Sequence, residues 1–156
     1  MIEIEIPGFG ALRLAHLVCD YNGTLARDGV LVRGVARDLT MLAKELEIHV
    51  LTADTFGSAA RELQGLPARV AVVPAAGQDA AKLDYVVRLG KESVVAIGNG
   101  RNDRRMLRAA ALGIAVAGEE GAARQAIAAA QLLAPNIRAA LALLRNPLRL
   151  TATLRA

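Results

Sequence analysis

Residues 2–6 read IEIEI, a strict alternation of apolar and acidic positions that predicts a strand with one buried face. The turn PGFG follows, then LRLAHLVCD, which predicts the first core strand running without a break to Asp20. From there, apolar runs of strand length alternate with segments of helical period. LARDGVLVR, residues 25–33, predicts a hairpin about Asp28-Gly29. Val35, Leu39, Leu42, Ala43 and Leu46 share one helical face. IHVLT predicts a strand, TFGSAARELQG a helix closed by Gly65, and VAVV another strand. QDAAKLDYVVRLG reads as a helix closed by Gly90, SVVAIG as a strand and RNDRRMLRAA as a helix. LGIAV, EGAARQAIAAA, QLLA and PNIRAALALL continue as strand, helix, short strand and helix. The tail NPLRLTATLRA is basic, and its pattern decides nothing.

Repeated strand–helix alternation predicts an α/β fold, a parallel sheet with helices on both faces. The runs LVCD, IHVL, VAVV and SVVAIG are apolar throughout, as strands buried on both faces should be. No repeat or linker divides the chain. It reads as one domain over 1–156, with a hairpin at about 25–33 and a tail at about 146–156. Ligands of such sheets sit beyond the carboxyl ends of the strands. The residues there are Asp20-Tyr21-Asn22-Gly23-Thr24, Thr52-Ala53-Asp54, Pro74 and Gly98-Asn99-Gly100-Arg101-Asn102-Asp103.

Composition narrows the function classes. With 54% apolar and only 3% aromatic residues, the core must be Leu, Val, Ile and Ala. The formal charge of +4 is scattered, and no Lys/Arg block or set of stacking aromatics argues for nucleic acid as a partner. A single cysteine excludes an internal disulfide or multi-cysteine metal site and fits a reducing compartment. No basic stretch leads into an apolar one at the start, so no signal peptide is expected. No apolar run approaches ~18 residues, so no membrane span is expected either. These features point to a cytoplasmic location.

The motifs are a strand ending in D-x-N-G-T (20–24), a strand ending in Thr52, Lys82 near a helix start, and G-N-G-x-N-D (98–103) after another strand. In this order and spacing, over roughly residues 14–135, the chain resembles the haloacid dehalogenase-like superfamily. Within it, the match is to capless soluble relatives of P-type ATPases. The resemblance implies a three-layer, Rossmann-like α/β/α fold without a large cap domain. It implies that Asp20 is the nucleophile that forms an aspartyl-phosphate, and that Lys82 bridges it to phosphate. Thr52 is the matching phosphoryl-binding hydroxyl, and Thr24 closes the first motif. Mg²⁺ would be held by Asp20, the backbone carbonyl of Asn22, and Asn99 and Asp103. Phosphate would also meet Gly23, Ala53 and Asn102. The chemistry stands on its own terms. A carboxylate attacking a phosphate dianion meets strong repulsion, which Mg²⁺ and a lysine offset. Gly23 and Gly100 would let backbone N–H groups approach phosphate. Asn102 can instead cap the helix that follows, and the sequence leaves both roles open. Cys19 points away from Asp20 by strand alternation and reads as core. His16 and His49 read as structural strand residues.

Two positions depart from the pattern. Phosphatases of the superfamily carry a second Asp two residues after the nucleophile, where this chain has Asn22. That acid protonates the leaving group and then activates water, and its loss costs about 10²–10⁴ in rate. Asn99 stands where the family has the first acid of G-D-G-x-N-D. The expected function is therefore a slow, Mg²⁺-dependent phosphatase acting on a small phosphorylated substrate. The alternative is a catalytically degenerate relative that binds phosphate or Mg²⁺ in regulation or assembly. About thirty residues separate Thr52 from Lys82, and fewer separate Thr24 from Thr52, too few for a cap domain. In capless relatives the hairpin after the nucleophile covers a neighbouring subunit's site. A homo-oligomer is thus expected, with a tetramer as a candidate.

Overall fold

The computed structural model describes residues 1–156. The chain opens with an antiparallel hairpin, β1 (Ile2–Ile6) and β2 (Gly10–Leu14). Its buried Ile2, Ile4, Ile6, Leu12 and Leu14 join the larger of two apolar clusters. Here the structure corrects the sequence reading. LRLAHLVCD is not one strand, because Ala15 separates β2 from β3 (His16–Asp20), which belongs to a different sheet.

The main sheet has six parallel strands in the order β10-β9-β8-β3-β6-β7. These are β6 (Glu47–Thr52), β7 (Ala68–Val72), β8 (Val94–Gly98), β9 (Leu112–Val116) and β10 (Leu132–Ala134) around the central β3. Between β3 and β6 lie a two-stranded flap, β4 (Ala26–Arg27) and β5 (Val30–Leu31), and helix α1 (Val35–Leu42). The flap lies where the sequence places it, and its tip puts Asp28 at φ 50, followed by Gly29 at φ 81. The remaining helices are α2 (Ser58–Glu62), α3 (Gln78–Leu89), α4 (Arg104–Ala109), α5 (Arg124–Ala129), α6 (Ile137–Arg145) and α7 (Pro147–Leu154). None is long and apolar enough to cross a membrane.

The two faces of the sheet bury different partners, which makes the α/β/α sandwich. Leu17, Cys19, Ile48, Val50, Val95 and Ile97 pack with residues of α1, α2 and α6. Val18, Leu51, Val94 and Ala96 pack with residues of α3, α4 and α5. Alternation along each strand sends successive side chains to opposite layers, so both kinds of position in mid-strand are apolar. Several predicted helices are shorter than their sequence periods. The segment TFGSAARELQG yields only five helical residues, with Gly57 at φ 80 just before them. RNDRRMLRAA begins as a 3₁₀ turn, Arg101–Asp103, before α4. The tail resolves into α7, which buries Leu150 and lies against β1. Helix α6 is held to α1 by a buried carboxylate. Asp38 accepts from Arg138 and, at 2.8 Å, from Arg145.

Gly113 in β9 marks a close helix–sheet approach. A Cβ there would collide with the carbonyl of Leu107 in α4. Gly113→Ala should therefore destabilise the fold by about 1–3 kcal/mol, as overpacking does elsewhere. Thermal or urea unfolding reads this directly, and an unchanged midpoint would contradict the close packing of α4 on β9.

Candidate active site

From β3 the chain winds outward through β6 and β7, then returns to the other side of β3 as β8 and continues to β9 and β10. The reversal lies between β3 and β8. A crevice opens at the carboxyl ends of strands at such a point. Asp20 ends β3, Thr52 ends β6 and Asn99–Asp103 follow β8, so the topology gathers three of the four motifs there.

The fourth arrives from α3. Asp20 lies on the same face of β3 as Val18, the face that α3 covers. Lys82 and Val86, one turn apart on α3, both point into that layer and are buried. The Lys82 ammonium sits between two carboxylates, 2.7 Å from Asp20 Oδ1 and 2.7 Å from Asp103 Oδ1. The Lys82 side chain is 1% exposed, Asp103 0% and Asp20 11%, so of the two carboxylates only Asp20 reaches solvent. Asp103 Oδ2 accepts the N–H groups of Asn99 and Gly100 at 3.0 and 2.8 Å, which locks the loop after β8. Gly98 has no alternative here, because a Cβ would lie 2.6 Å from the Asp103 carboxyl carbon.

Thr24 links the first and last motifs. Its hydroxyl lies 3.2 Å from both Asp20 Oδ2 and Asn99 Oδ1. Asn99 Nδ2 donates to the Gly121 carbonyl at 3.1 Å, which fixes the amide with its oxygen toward Thr24. The carbonyl of Asn22 accepts no main-chain hydrogen bond. Asp20 Oδ2 and Asn99 Oδ1 thus meet at the Thr24 hydroxyl, and the Asn22 carbonyl two residues after Asp20 is left without a main-chain partner. Asp103 Oδ1 accepts from Lys82, and its Oδ2 from the Asn99 and Gly100 N–H groups.

The buried trio of two carboxylates and one ammonium carries one net negative charge when all three are ionised. Burial, then the charge of Asp103, pushes the Asp20 carboxyl up from 3.8 to about 7, while Lys82 and Thr24 pull the other way. Burial opposes the charge on Lys82, yet the two carboxylates outweigh it and its pKa is raised.

Other predicted residues are placed as follows. Thr52 Oγ1 accepts the Asp54 N–H at 3.0 Å, so its proton stays available, and Ala53 donates to no main-chain carbonyl. Asn102 donates to Gln78 Oε1 at 2.8 Å, tying the 3₁₀ turn to the start of α3. The N–H groups of Gly23 and Gly100, expected to face phosphate, are engaged within the chain, by the Ala26 carbonyl and by Asp103. Gly23 is required for another reason. It has φ +77, and the Glu120 carboxylate occupies the place of its missing Cβ. Sequence reasoning missed Glu120. Its signal was position, because it lies in the loop after β9, also at the carboxyl edge of the sheet. A cavity of about 630 Å³ opens beside Gly23 and Thr24, between the flap and that loop. Arg27 and Arg33 line it, and Arg27 pairs with Glu119 across its mouth.

Comparison with known proteins agrees with this geometry. The family model for haloacid dehalogenase-like hydrolases matches residues 78–137, which include Lys82, Asn99 and Asp103. An uncharacterized protein of Methanocaldococcus jannaschii is 44% identical over 79 residues, 48% of this chain and 85% of that protein. The fold superposes on a 3-deoxy-D-manno-octulosonate 8-phosphate phosphatase from Moraxella catarrhalis, solved with magnesium, phosphate and sugar. The TM-score is 0.65 at 16% identity, over 91% of this chain and 94% of that one. A zinc-transporting P-type ATPase gives 0.64 at 24% identity, over 79% of this chain but only 20% of that one.

Lys82→Met leaves two buried carboxylates facing each other. The expected loss is about 3–5 kcal/mol near neutral pH. A carboxyl with a raised folded-state pKa favours folding below its unfolded value and loses that favour as pH rises through the folded one. The gap in melting temperature between wild type and variant should therefore widen between pH 4 and 7 and be smallest at the acid end. A gap independent of pH, read by thermal scans, would show that Lys82 does not compensate these charges.

Proposed function

The chain belongs to the haloacid dehalogenase-like hydrolases, and on that premise we propose that it is a Mg²⁺-dependent phosphatase working through an aspartyl-phosphate on Asp20. The observation that carries this reading is the buried Lys82 ammonium, held 2.7 Å from the Asp20 carboxylate at the reversal point of the sheet. A structural ion pair has no need of that address. The donor set beside Asp20 fits Mg²⁺, which prefers oxygen ligands and keeps several waters. Asp20 Oδ2, the Asn22 carbonyl and Asn99 Oδ1 would hold it, while Asp103 positions Lys82 and the loop. When bound, the ion offsets negative charge on the phosphoryl oxygens and on Asp20.

In this reading a carboxylate oxygen of Asp20 attacks phosphorus and the bond to the leaving oxygen breaks. The Lys82 ammonium keeps Asp20 oriented and partly neutralises it. The Thr52 hydroxyl and the Ala53 N–H donate to the transferring group. Water then attacks the acyl phosphate, releasing inorganic phosphate and restoring the carboxylate. Proton transfer in both halves lacks the usual partner, because Asn22 neither donates to a leaving oxygen nor accepts from water. Glu120, brought against Gly23 by the β9–α5 loop, is the candidate to serve in its place. Turnover is slow, and the phosphoenzyme forms faster than it breaks down.

The cavity of about 630 Å³ suits a small phosphorylated substrate, with Arg33 as a cation for its anionic group. Its outer wall is the flap, whose Val30 is 60% exposed, and Phe56 in the loop after Thr52 is 88% exposed. A second copy packing on these side chains would close the cleft, so the working form is proposed to be a homo-oligomer in a cytoplasmic setting. Light scattering at micromolar concentration should give a multiple of 16.4 kDa. A monomer there would remove this part of the reading.

With acetyl phosphate and Mg²⁺, acid quenching should trap an alkali-labile phosphoenzyme in wild type and none in Asp20→Asn. Asn22→Asp should speed steady turnover about 10²-fold or more, and Glu120→Gln should slow it. If wild type and Asp20→Asn both lack the adduct and hydrolyse nothing, the site binds phosphate or Mg²⁺ without chemistry, and the degenerate reading replaces this one.

A further inference from the structure

At the opposite end of the sheet, three side chains converge that the chemistry above does not use. His16 begins β3, and Glu47 and His49 lie near the start of β6. The register explains their meeting. His16 pairs with Glu47 and Val18 with His49, so all three side chains leave the sheet on the face covered by α3. His16 Nδ1 is 3.2 Å from His49 Nε2, and Glu47 Oε2 is 3.7 Å from each of those nitrogens. His49 is almost fully buried, His16 is 20% exposed and Glu47 is 57% exposed, so the triangle opens toward solvent on the carboxylate side.

From this geometry we propose that His16, Glu47 and His49 form a second cation site, for a borderline transition metal such as Zn²⁺, with water in the remaining position. Ligand bonds of about 2.0–2.1 Å on a tetrahedral ion place neighbouring donor atoms about 3.3–3.4 Å apart. The observed separations of 3.2, 3.7 and 3.7 Å bracket that edge, and the imidazole centroids lie 5.3 Å apart without stacking. The remaining nitrogen of His49, Nδ1, is 2.9 Å from the Tyr85 hydroxyl on α3. When Nδ1–H donates to that oxygen, Nε2 presents its lone pair to the triangle. An outer partner on the second nitrogen is the usual way a metal-binding histidine is oriented. Two imidazoles and one carboxylate select Zn²⁺, Co²⁺ or Ni²⁺ over Mg²⁺, whereas the all-oxygen set beside Asp20 has the reverse preference. Arg69, paired opposite His49 in β7, adds positive charge against a cation, and Arg88 lies over the Tyr85 ring. The ionised Glu47 offsets them. The site lies about 13 Å from Asp20 along β3 and does not rest on the phosphatase reading.

The full-length chain, stripped with a chelator and returned to excess Mg²⁺, is titrated with Co²⁺. Four-coordinate cobalt on nitrogen ligands absorbs strongly in the visible, while six-coordinate cobalt on oxygen ligands is pale. The expected result is an intense visible spectrum that saturates at one equivalent and is displaced by Zn²⁺. Tyr85→Phe should weaken binding about 10-fold, as loss of an outer partner does, and Glu47→Gln should weaken it more. Glu47 is exposed, so its variant keeps the fold even if His16→Gln does not. Only pale cobalt in wild type, or equal titration of wild type and Glu47→Gln, overturns the site. Neither result depends on whether the protein hydrolyses phosphate.

Discussion

A buried ammonium shared by two carboxylates is the constraint around which the rest of the structure is arranged. Lys82 has almost no exposure, and nothing but Asp20 and Asp103 compensates its desolvation. The geometry must therefore be held from three directions. Strand β3 supplies Asp20, the loop after β8 supplies Asp103, and α3 supplies the cation. Asp103 is pinned by the N–H groups of its own loop, and that loop can close over it only because residue 98 lacks a Cβ. The charge count then sets the chemistry. Burial, then the Asp103 charge, raises the Asp20 carboxyl, and the net-negative trio favours a further cation beside it.

Helix α3 spans both ends of the sheet. Lys82 faces the carboxyl edge and Tyr85, nearly one turn later, faces the amino edge, where it touches His49. The parallel sheet separates these two polar clusters by the length of a strand whose intervening residues, Leu17, Val18 and Cys19, are fully buried. A polar group is tolerated on such a strand only at its ends, which is where His16 and Asp20 lie.

What the sequence made legible follows from the same separation. Continuous apolar runs identify doubly buried strands, and a polar residue ending such a run identifies the functional edge. Asp20, Thr52 and the loop after β8 were readable for that reason. The break at Ala15 was not, because two strands of different sheets joined by one residue leave no gap in apolar pattern. Glu120 was not, because a loop acid carries no periodic signal, and its approach to Gly23 depends on β9 lying beside β8. The His16–Glu47–His49 triangle was not, because it needs the parallel register between β3 and β6. Burial of Lys82 was likewise invisible, since Lys at that helical position is equally suited to solvent.

Asn22 and Asn99 take their meaning from this arrangement. With aspartates at both positions, the crevice would hold four carboxylates around one lysine. With asparagines, Thr24 can bridge Asp20 to a neutral amide oxygen, and Asn99 can use its amide nitrogen to hold the Gly121 loop that carries Glu120. The second amide thus does something an acid could not, because a carboxylate has no proton to give the Gly121 carbonyl. The substitutions remove proton-transfer capacity and negative charge while leaving Asp20 and its lysine in contact. In the proposed reaction, such a site would favour forming an acyl phosphate over breaking it, with Glu120 as the loop acid left to govern its breakdown.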